Sequence, residues 1–435
     1  MNMKNLKVCY NQFRKNECEI INTRNLCNLL RLLLVVLLTC NLSCKDTAKK
    51  KKSEINSFFK IPFSEIITHQ REVNLSEFAN DVEIFQLENT PEALLGAIED
   101  IGLTSDYIFV MCWAQPILQF SREGKFIKQI GAIGKGPGEY NICLKMSIDE
   151  KSEQIYIYTT EQSIEVFNFN GDYIKTIKFP ALASFMKYWV RGRDSTFVSY
   201  FEPIIGNEPY VFIEYNEQGD TLQTIPNYIF YDIEEQADPP QISLFEDQNF
   251  AYDFEYKLHL KGCYNDTIYS FDKANRLVPK YFIDLGKHKL PPDLIYERKW
   301  SRPLPGNLIW TGVHETSDFI FIPYGYHFNK IKLESEKKER GLVLYSKKTQ
   351  EGVAIIETRT GGFKDDIAGG PDFCPTLAYD NVALMVVSAM EMKQYLLTDQ
   401  FKNKNVKFPE KKEKLNQLKR IINENDNDYL ILVKF

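Results

Sequence analysis

The sequence lacks most of the residue patterns that carry chemistry by themselves. It has five histidines in 435 residues, His69, His259, His288, His314 and His327, and none stands in an HxH or HExxH spacing that would aim two imidazoles at one metal. A GxSxG nucleophile elbow is absent, which removes the hydrolases that rely on it. Cysteine looks plentiful at nine, yet Cys9, Cys18, Cys27, Cys40 and Cys44 all fall in or at the end of an N-terminal leader. The other four, Cys112, Cys143, Cys263 and Cys374, are far apart and form no CxxC pair, so a zinc site is not expected and buried thiols in strands are. Helical periodicity is scarce as well, which argues against an α/β repeat.

Positive charge is missing from the body of the chain. The formal net charge is −6; residues 1–43 hold six cations, Lys4, Lys7, Arg14, Lys15, Arg24 and Arg31, against Glu17 and Glu19, a surplus of four that leaves −10 for the remainder. An acidic body repels phosphate backbones, and nucleic acid is excluded as a partner.

What the leader does contain is an address. Leu29 to Cys40 reads LLRLLLVVLLTC, an apolar run with cations before and inside it, shorter than the roughly 20 residues a membrane span needs. It is followed by NLSC, in which small Ser43 precedes Cys44. This resembles the lipobox of bacterial lipoproteins, whose cysteine is acylated and becomes the new N-terminus. Cys44 is therefore the expected lipid attachment, with Cys40 a competing position. Residues 1–43 form the expected signal peptide, and 44–57, in which KDTAKKKKSE follows Cys44, are too polar to bury anything and are expected to serve as a tether. Lys45 and Asp46 are similar to a lysine-then-acid signal that sends some lipoproteins to the outer surface. The expected location is the cell membrane or outer membrane, facing the periplasm or the surface.

The body, 58–435, is rich in Tyr and Phe, 24 and 30 residues, which favour strands. A strand–turn–strand unit recurs. Tyr107 to Gly131 (YIFVMCWAQPILQFSREGKFIKQIG) and Ile155 to Phe179 (IYIYTTEQSIEVFNFNGDYIKTIKF) align at an offset that matches Gly124 with Gly171, Ile117 with Ile164, Phe120 with Phe167 and Ile130 with Ile177. A third copy, Val211 to Ile225, places Gly219 in the same position. Weaker copies follow at Asn265, between Asp318 and Ile356, and around Ala383 to Val387. Short strands repeating every 40 to 50 residues are the mark of propeller blades, each a small sheet that buries both faces against its neighbours. The expected fold is all-β, a β-propeller of six blades or seven, closed by pairing the C-terminal strand DYLILVKF with an N-terminal strand in EIFQLEN, Glu83 to Asn89, which removes exposed edges. Pro239 to Asn249 and Asp365 to Pro375 read as long loops. Leu415, Leu418 and Ile421 are spaced for one short surface helix within Phe408 to Ile421.

Several of these segments carry a resemblance: IGAIGKGPGEY from Ile130 to Tyr140, NDTIY from Asn265 to Tyr269 followed by PKYFIDLGKHKLP to Pro291, FQLEN, and the terminal DYLILVKF. The body resembles a family of six-bladed β-propeller lipoproteins of gut Bacteroidetes, distantly related to NHL-repeat propellers. The resemblance implies a fold and a location at the envelope and passes on no mechanism.

Three groups of residues are candidates for a site. The loop of Gly134, Gly136, Pro137, Gly138, Glu139 and Tyr140 has the glycines of an anion cradle, but no helix follows it, so it reads as a structural turn between blades. Trp300, Arg302, Trp310, Tyr324 and Tyr326 could form an aromatic platform for a sugar or peptide, although core packing is the commoner fate of such rings. His314 and His327 flank one strand and could hold a divalent metal, the one cofactor considered; otherwise none is expected. The leading functional expectation is a binding module for a carbohydrate, peptide or envelope protein. The alternative is a metal-assisted lyase or hydrolase at the central channel.

Overall fold

The computed structural model describes residues 58–161, 163–178, 186–191, 196–201, 209–227, 250–262, 265–289, 308–310, 312–326, 340–355 and 362–435. The chain forms a six-bladed β-propeller. Blade 1 is a four-stranded antiparallel sheet, Ile98–Leu103, Tyr107–Cys112, Ile117–Ser121 and Phe126–Ile130. Blade 2 repeats it with Cys143–Asp149, Gln154–Thr159, Ser163–Asn168 and Tyr173–Lys178. Blade 3 comprises Met186–Arg191, Phe197–Phe201, Tyr210–Tyr215 and Thr221–Pro226. Blade 4 comprises Phe250–Phe254, Lys257–Lys261, Thr267–Phe271 and Leu277–Ile283. In blade 5 the inner strand is broken into Leu308–Trp310 and His314–Glu315, followed by Phe319–Tyr326, Arg340–Ser346 and Gly352–Ile355.

Blade 6 closes the ring. Its inner strands are Leu377–Tyr379 and Val382–Val387, its third is the C-terminal Tyr429–Lys434, and its outermost is the N-terminal Asp81–Gln86, in register from Gln86 opposite Tyr429 to Asp81 opposite Lys434. The strand expected in EIFQLEN is the one that pairs.

Period-two alternation explains how one strand serves two interfaces. In Tyr107–Cys112, Ile108 and Val110 pack toward blade 6 with Leu384 and Leu430, while Phe109 and Met111 pack toward blade 2 with Ile155 and Ile157. The same division gives apolar clusters between blades 2 and 3, 3 and 4, 4 and 5, and 5 and 6. A middle strand covered on both faces therefore reads as a nearly continuous apolar run, whereas the outermost strand Tyr173–Lys178 is mostly exposed. Each large side chain so buried contributes about 1.5–3 kcal/mol.

Two additions to the ring lie beyond what the repeat foretells. Before entering blade 6, the N-terminal segment runs along the rim: Phe59–Ile61 pairs in parallel with the outer strand of blade 4, and Gln70–Arg71 with that of blade 5. Between them Phe63 and Ile66 are buried against blade 5. This strap covers two sheet edges that would otherwise be open to pairing. The second addition is helical. One helix was expected here; among the described residues three lie between Val382–Val387 and the closing strand, Ala389–Leu396, Asp399–Asn403 and Pro409–Ile421. Ser388 and Thr398 cap the first two by accepting the amides of Glu391 and Phe401, and Met392, Leu396, Phe401 and Leu415 extend the cluster between blades 5 and 6. The third helix turns Leu415 and Ile422 inward and leaves Ile421 79% exposed.

The loop after blade 5 is built on Asp365. Its buried carboxylate accepts the amides of Ile367, Ala368 and Gly370 at 3.0, 2.8 and 2.6 Å. Among the described residues Cys112, Cys143 and Cys374 are free thiols, and burial pushes Cys112 and Cys143 up to about 11 and about 12. Cys263 and the loop 239–249 lie outside the described residues.

Candidate functional site

The innermost strands of the blades wall a central cavity of about 1000 Å³, at the upper end of the range for small-ligand sites. Blades 1, 2, 4, 5 and 6 contribute to its lining. The hairpins that follow these strands gather at one end, here called the mouth, because the inner strands all run the same way round a propeller.

The mouth is polar and specifically built. Tyr379 of blade 6 donates its hydroxyl to Glu150 of blade 2, and the other Glu150 oxygen accepts the amide of Ser105 in blade 1 at 2.7 Å. Three blades are thereby joined across the inner end of blade 1. Burial and the Glu150 carboxylate hold the Tyr379 phenol well above its ordinary value, so it remains a donor. Deeper in the wall Lys145 and Asp100 pair at 2.8 Å.

Blade 4 supplies the most exposed group. Its first hairpin turns on Glu255 and Tyr256, both left-handed with φ of 51° and 56°, the geometry of a two-residue turn that usually takes Asn-Gly. The Tyr256 side chain is left 77% exposed at the mouth. Asp380, in the corresponding turn of blade 6, is also left-handed at 49°.

Beneath the hairpin lies a buried ion pair. Glu315, on the inner strand of blade 5, accepts the hydroxyls of Tyr252 at 2.7 Å and Tyr281 at 2.5 Å and pairs with Lys347 at 2.6 Å. Lys347 also donates to the Thr316 carbonyl at 2.6 Å, and its ammonium sits 4.0 Å from the centre of the Phe254 ring. Both carboxylate oxygens and the ammonium of the pair are thus engaged, the condition under which a buried pair is tolerated. Burial lowers Lys347 while Glu315 opposes the shift. His259 stacks on Tyr252 with ring centres 4.8 Å apart, and burial lowers it from its ordinary value.

His314 lies in the cavity wall beside Glu315. No described residue hydrogen-bonds its ring, and burial alone pushes it down to about 4, so the imidazole is neutral at physiological pH. Its proposed companion His327 lies outside the described residues. Among those residues no three His, Cys, Asp or Glu side chains converge as a metal-binding group.

Of the aromatic candidates, Trp300 and Arg302 lie outside the described residues, as does the side chain of Tyr326. Trp310 and Tyr324 are each 2% exposed. Trp310 packs edge-on to Phe250 at 5.4 Å with the Lys261 ammonium 4.8 Å over its ring. Tyr324 meets Phe63 edge-on at 5.2 Å, and its hydroxyl accepts from Gln70 at 3.4 Å. Both rings belong to the packing around blade 5.

In the glycine-rich loop, Glu139 accepts the amides of Lys135 and Gly136 at 2.9 and 2.8 Å. The cradle is filled by the chain's own carboxylate. Tyr140, 2% exposed, donates to the Ile130 carbonyl at 2.8 Å and accepts the Ile117 amide at 2.9 Å. Gly134 admits the close approach of Glu139 and Gly131 that of Tyr140, Gly138 takes a left-handed φ of 77° against Tyr173, and Pro137 lies at the turn between Gly136 and Gly138.

The sequence reading passed over Tyr256, Glu255, Tyr379, Asp380 and the Glu315 pair. The available signal was local: a hairpin FAYDFEYKLHL with neither Gly nor Asn at its turn.

Solved structures confirm the architecture. An exported protein of Bacteroides fragilis is 16% identical with a TM-score of 0.59, covering 87% of this chain and 98% of its own. A member of the DUF4221 family from Bacteroides vulgatus is 13% identical with a TM-score of 0.50, covering 82% and 96%. At these identities the likeness is one of fold. No curated protein sequence matches the chain. Residues 58–434, from the start of the rim strap to the last residue of the closing strand, match a single family model, and the chain belongs to that family, described as the domain of unknown function DUF4934.

Proposed function

We propose that the protein is an exported binding module, held at the cell envelope by a lipid on Cys44, that receives a carbohydrate, a peptide or a segment of an envelope protein in its central cavity. The observation that carries this reading is the cavity of about 1000 Å³ with Tyr256 held 77% exposed at its mouth. A rigid ring with a preformed concave site binds at low ordering cost. Export is supported by the leader and by the likeness to an exported Bacteroides protein. Among the described residues no helix is long and apolar enough to cross a membrane, and attachment rests on the cysteine. Two acyl chains suffice for stable anchoring.

A thermal-shift panel of oligosaccharides and short peptides, run on the purified protein and on Tyr256→Ala, tests the cavity. The expected result is a ligand that raises the melting temperature of the first and not of the second; ligands that stabilise both equally place the site elsewhere. For the anchor, Cys44→Ser is expected to release the protein from the membrane fraction. The metal-assisted alternative is not favoured; its one remaining candidate among the described residues is His314, a neutral imidazole with no described partner facing the cavity. Stoichiometric metal in the purified protein, lost in His314→Gln, would support it.

A further inference from the structure

We infer that the ligand of the cavity carries a cationic group, an alkylammonium or guanidinium, held at the mouth between the ring of Tyr256 and the carboxylates of Glu255 and Asp380, while an uncharged, hydrogen-bonding body lies inside against His314. The inference rests on the reading of the cavity as a binding site and names the chemistry of what it binds.

Seven carboxylates line the cavity against three lysines. Most of those carboxylates are already engaged. Asp100 pairs with Lys145, Glu150 is held by Tyr379 and Ser105, Glu315 by Lys347 and two tyrosines, Asp149 accepts from Ser152, and Asp253 has its own interaction. Glu255 and Asp380 remain exposed, and their carboxylates make no direct hydrogen bond or ion pair among the described residues, although Glu255 acts on Lys347 from nearby. They stand in the two left-handed turns at the mouth, one beside Tyr256 and the other beside Tyr379. The aromatic face is attractive to a cation, most so where water is partly excluded. Lys151 and Lys257 share the mouth and offset part of that negative charge.

The interior is different. His314 lines the cavity from the inner strand of blade 5, and burial pushes it down. A neutral imidazole offers one donor and one acceptor, and Phe250, Phe254, Met146 and Leu103 complete an apolar surround. The charges within the wall, Lys145 and Asp100, are already paired with each other, so a charge carried inside would lose its hydration without a free ion-pair partner. The cation therefore stays at the mouth and the neutral part enters.

The test is calorimetric titration of the purified protein at low and at raised salt with four probes: the N-acetylated, C-amidated tripeptides Ala-Ala-Lys, Ala-Ala-Ala and Ala-Ala-Glu, and maltotriose. The lysine probe is expected to bind at least tenfold tighter than the other three and to weaken severalfold as salt rises. The double variant Glu255→Gln, Asp380→Asn, whose melting temperature is expected to be unchanged, should erase that preference, and His314→Gln should weaken all tripeptides alike. If a neutral or acidic probe binds as tightly and is lost in Tyr256→Ala, the cavity stands as the site and the cationic class is overturned. If all four bind indifferently to Tyr256→Ala and His314→Gln, or none binds at millimolar concentration, the cavity reading falls with it.

Discussion

Two sets of hairpins in this ring solve the same steric problem in opposite ways. On the outer side of blades 1, 2 and 3 the turn between the last two strands carries Gly124, Gly171 and Gly219, at φ of 82°, 85° and 83°. Around the cavity, the turns after the inner strands of blades 4 and 6 hold Glu255, Tyr256 and Asp380 in the same left-handed region. Glycine occupies that region without steric cost, whereas a residue with a Cβ pays for it. In blades 1, 2 and 3 the outer turns only reverse the chain and take the cheaper residue, whereas those of blades 4 and 5 place Asn275 and Gln350 there, at φ of 58° and 59°. The inner turns keep side chains despite the strain, which is the distribution expected where the side chain has a task.

The largest effect is expected in the wall that supports the inner turns. Glu315→Ala leaves the Lys347 ammonium buried without its partner and should cost about 3–5 kcal/mol in denaturant unfolding; a loss below 1 kcal/mol would mean that water already reaches the pair. Acid comes next. His314, and to a lesser degree His259, is held neutral in the fold by burial. Between roughly pH 6.5 and 4 the unfolded chain binds protons that the folded chain refuses, so stability is full above that window and falls through it as the pH drops. A shift to about 4 corresponds to as much as about 3 kcal/mol, and His314→Gln should flatten the melting profile over this range.

Gly124→Ala addresses the outer turns directly. Its Cβ would meet the Gln86 carbonyl oxygen at 2.6 Å and the Phe85 ring at 2.8 Å, in blade 6. The expected loss is about 1–3 kcal/mol, and a neutral result would break the contrast drawn above. The smallest effect has the opposite sign. Replacing the inner turn by glycine, Glu255→Asn with Tyr256→Gly, should leave stability unchanged or raise it by up to about 1 kcal/mol while abolishing ligand binding. A clear destabilisation would show that the hairpin is held by contacts of Tyr256 and not merely tolerated.

The outer turns were legible in the sequence because they repeat: Gly124 and Gly171 are framed by matching apolar residues, and periodicity fixes both strand and turn. The closing pair was legible too, since YLILVK reads as a strand covered on both faces and must find partners. Less regular features were not. The strap strands Phe59–Ile61 and Gln70–Arg71 are three and two residues long, too short for any period, and exist only because open blade edges lie beside them. Ala389–Leu396 spans barely two turns, and its helical character comes from the Ser388 cap and from burying Met392 and Leu396. Tyr256 follows an alternating strand, and nothing local separates it from the core tyrosines around it.

The sequence alone therefore determined the repeat, the blade as its unit, the ring's closure and the acidic balance, because these follow from the spacing of apolar residues and from counting charges. Only the tertiary structure decided which aromatics are buried and which stand free, that Glu139 fills the glycine loop, that Glu315 finds Lys347 and two tyrosines from a neighbouring blade, and that carboxylates from turns more than a hundred residues apart meet at one mouth. Those outcomes depend on which neighbours the ring brings to each strand, and burial, hydrogen bonding and charge pairing are properties of neighbours in space.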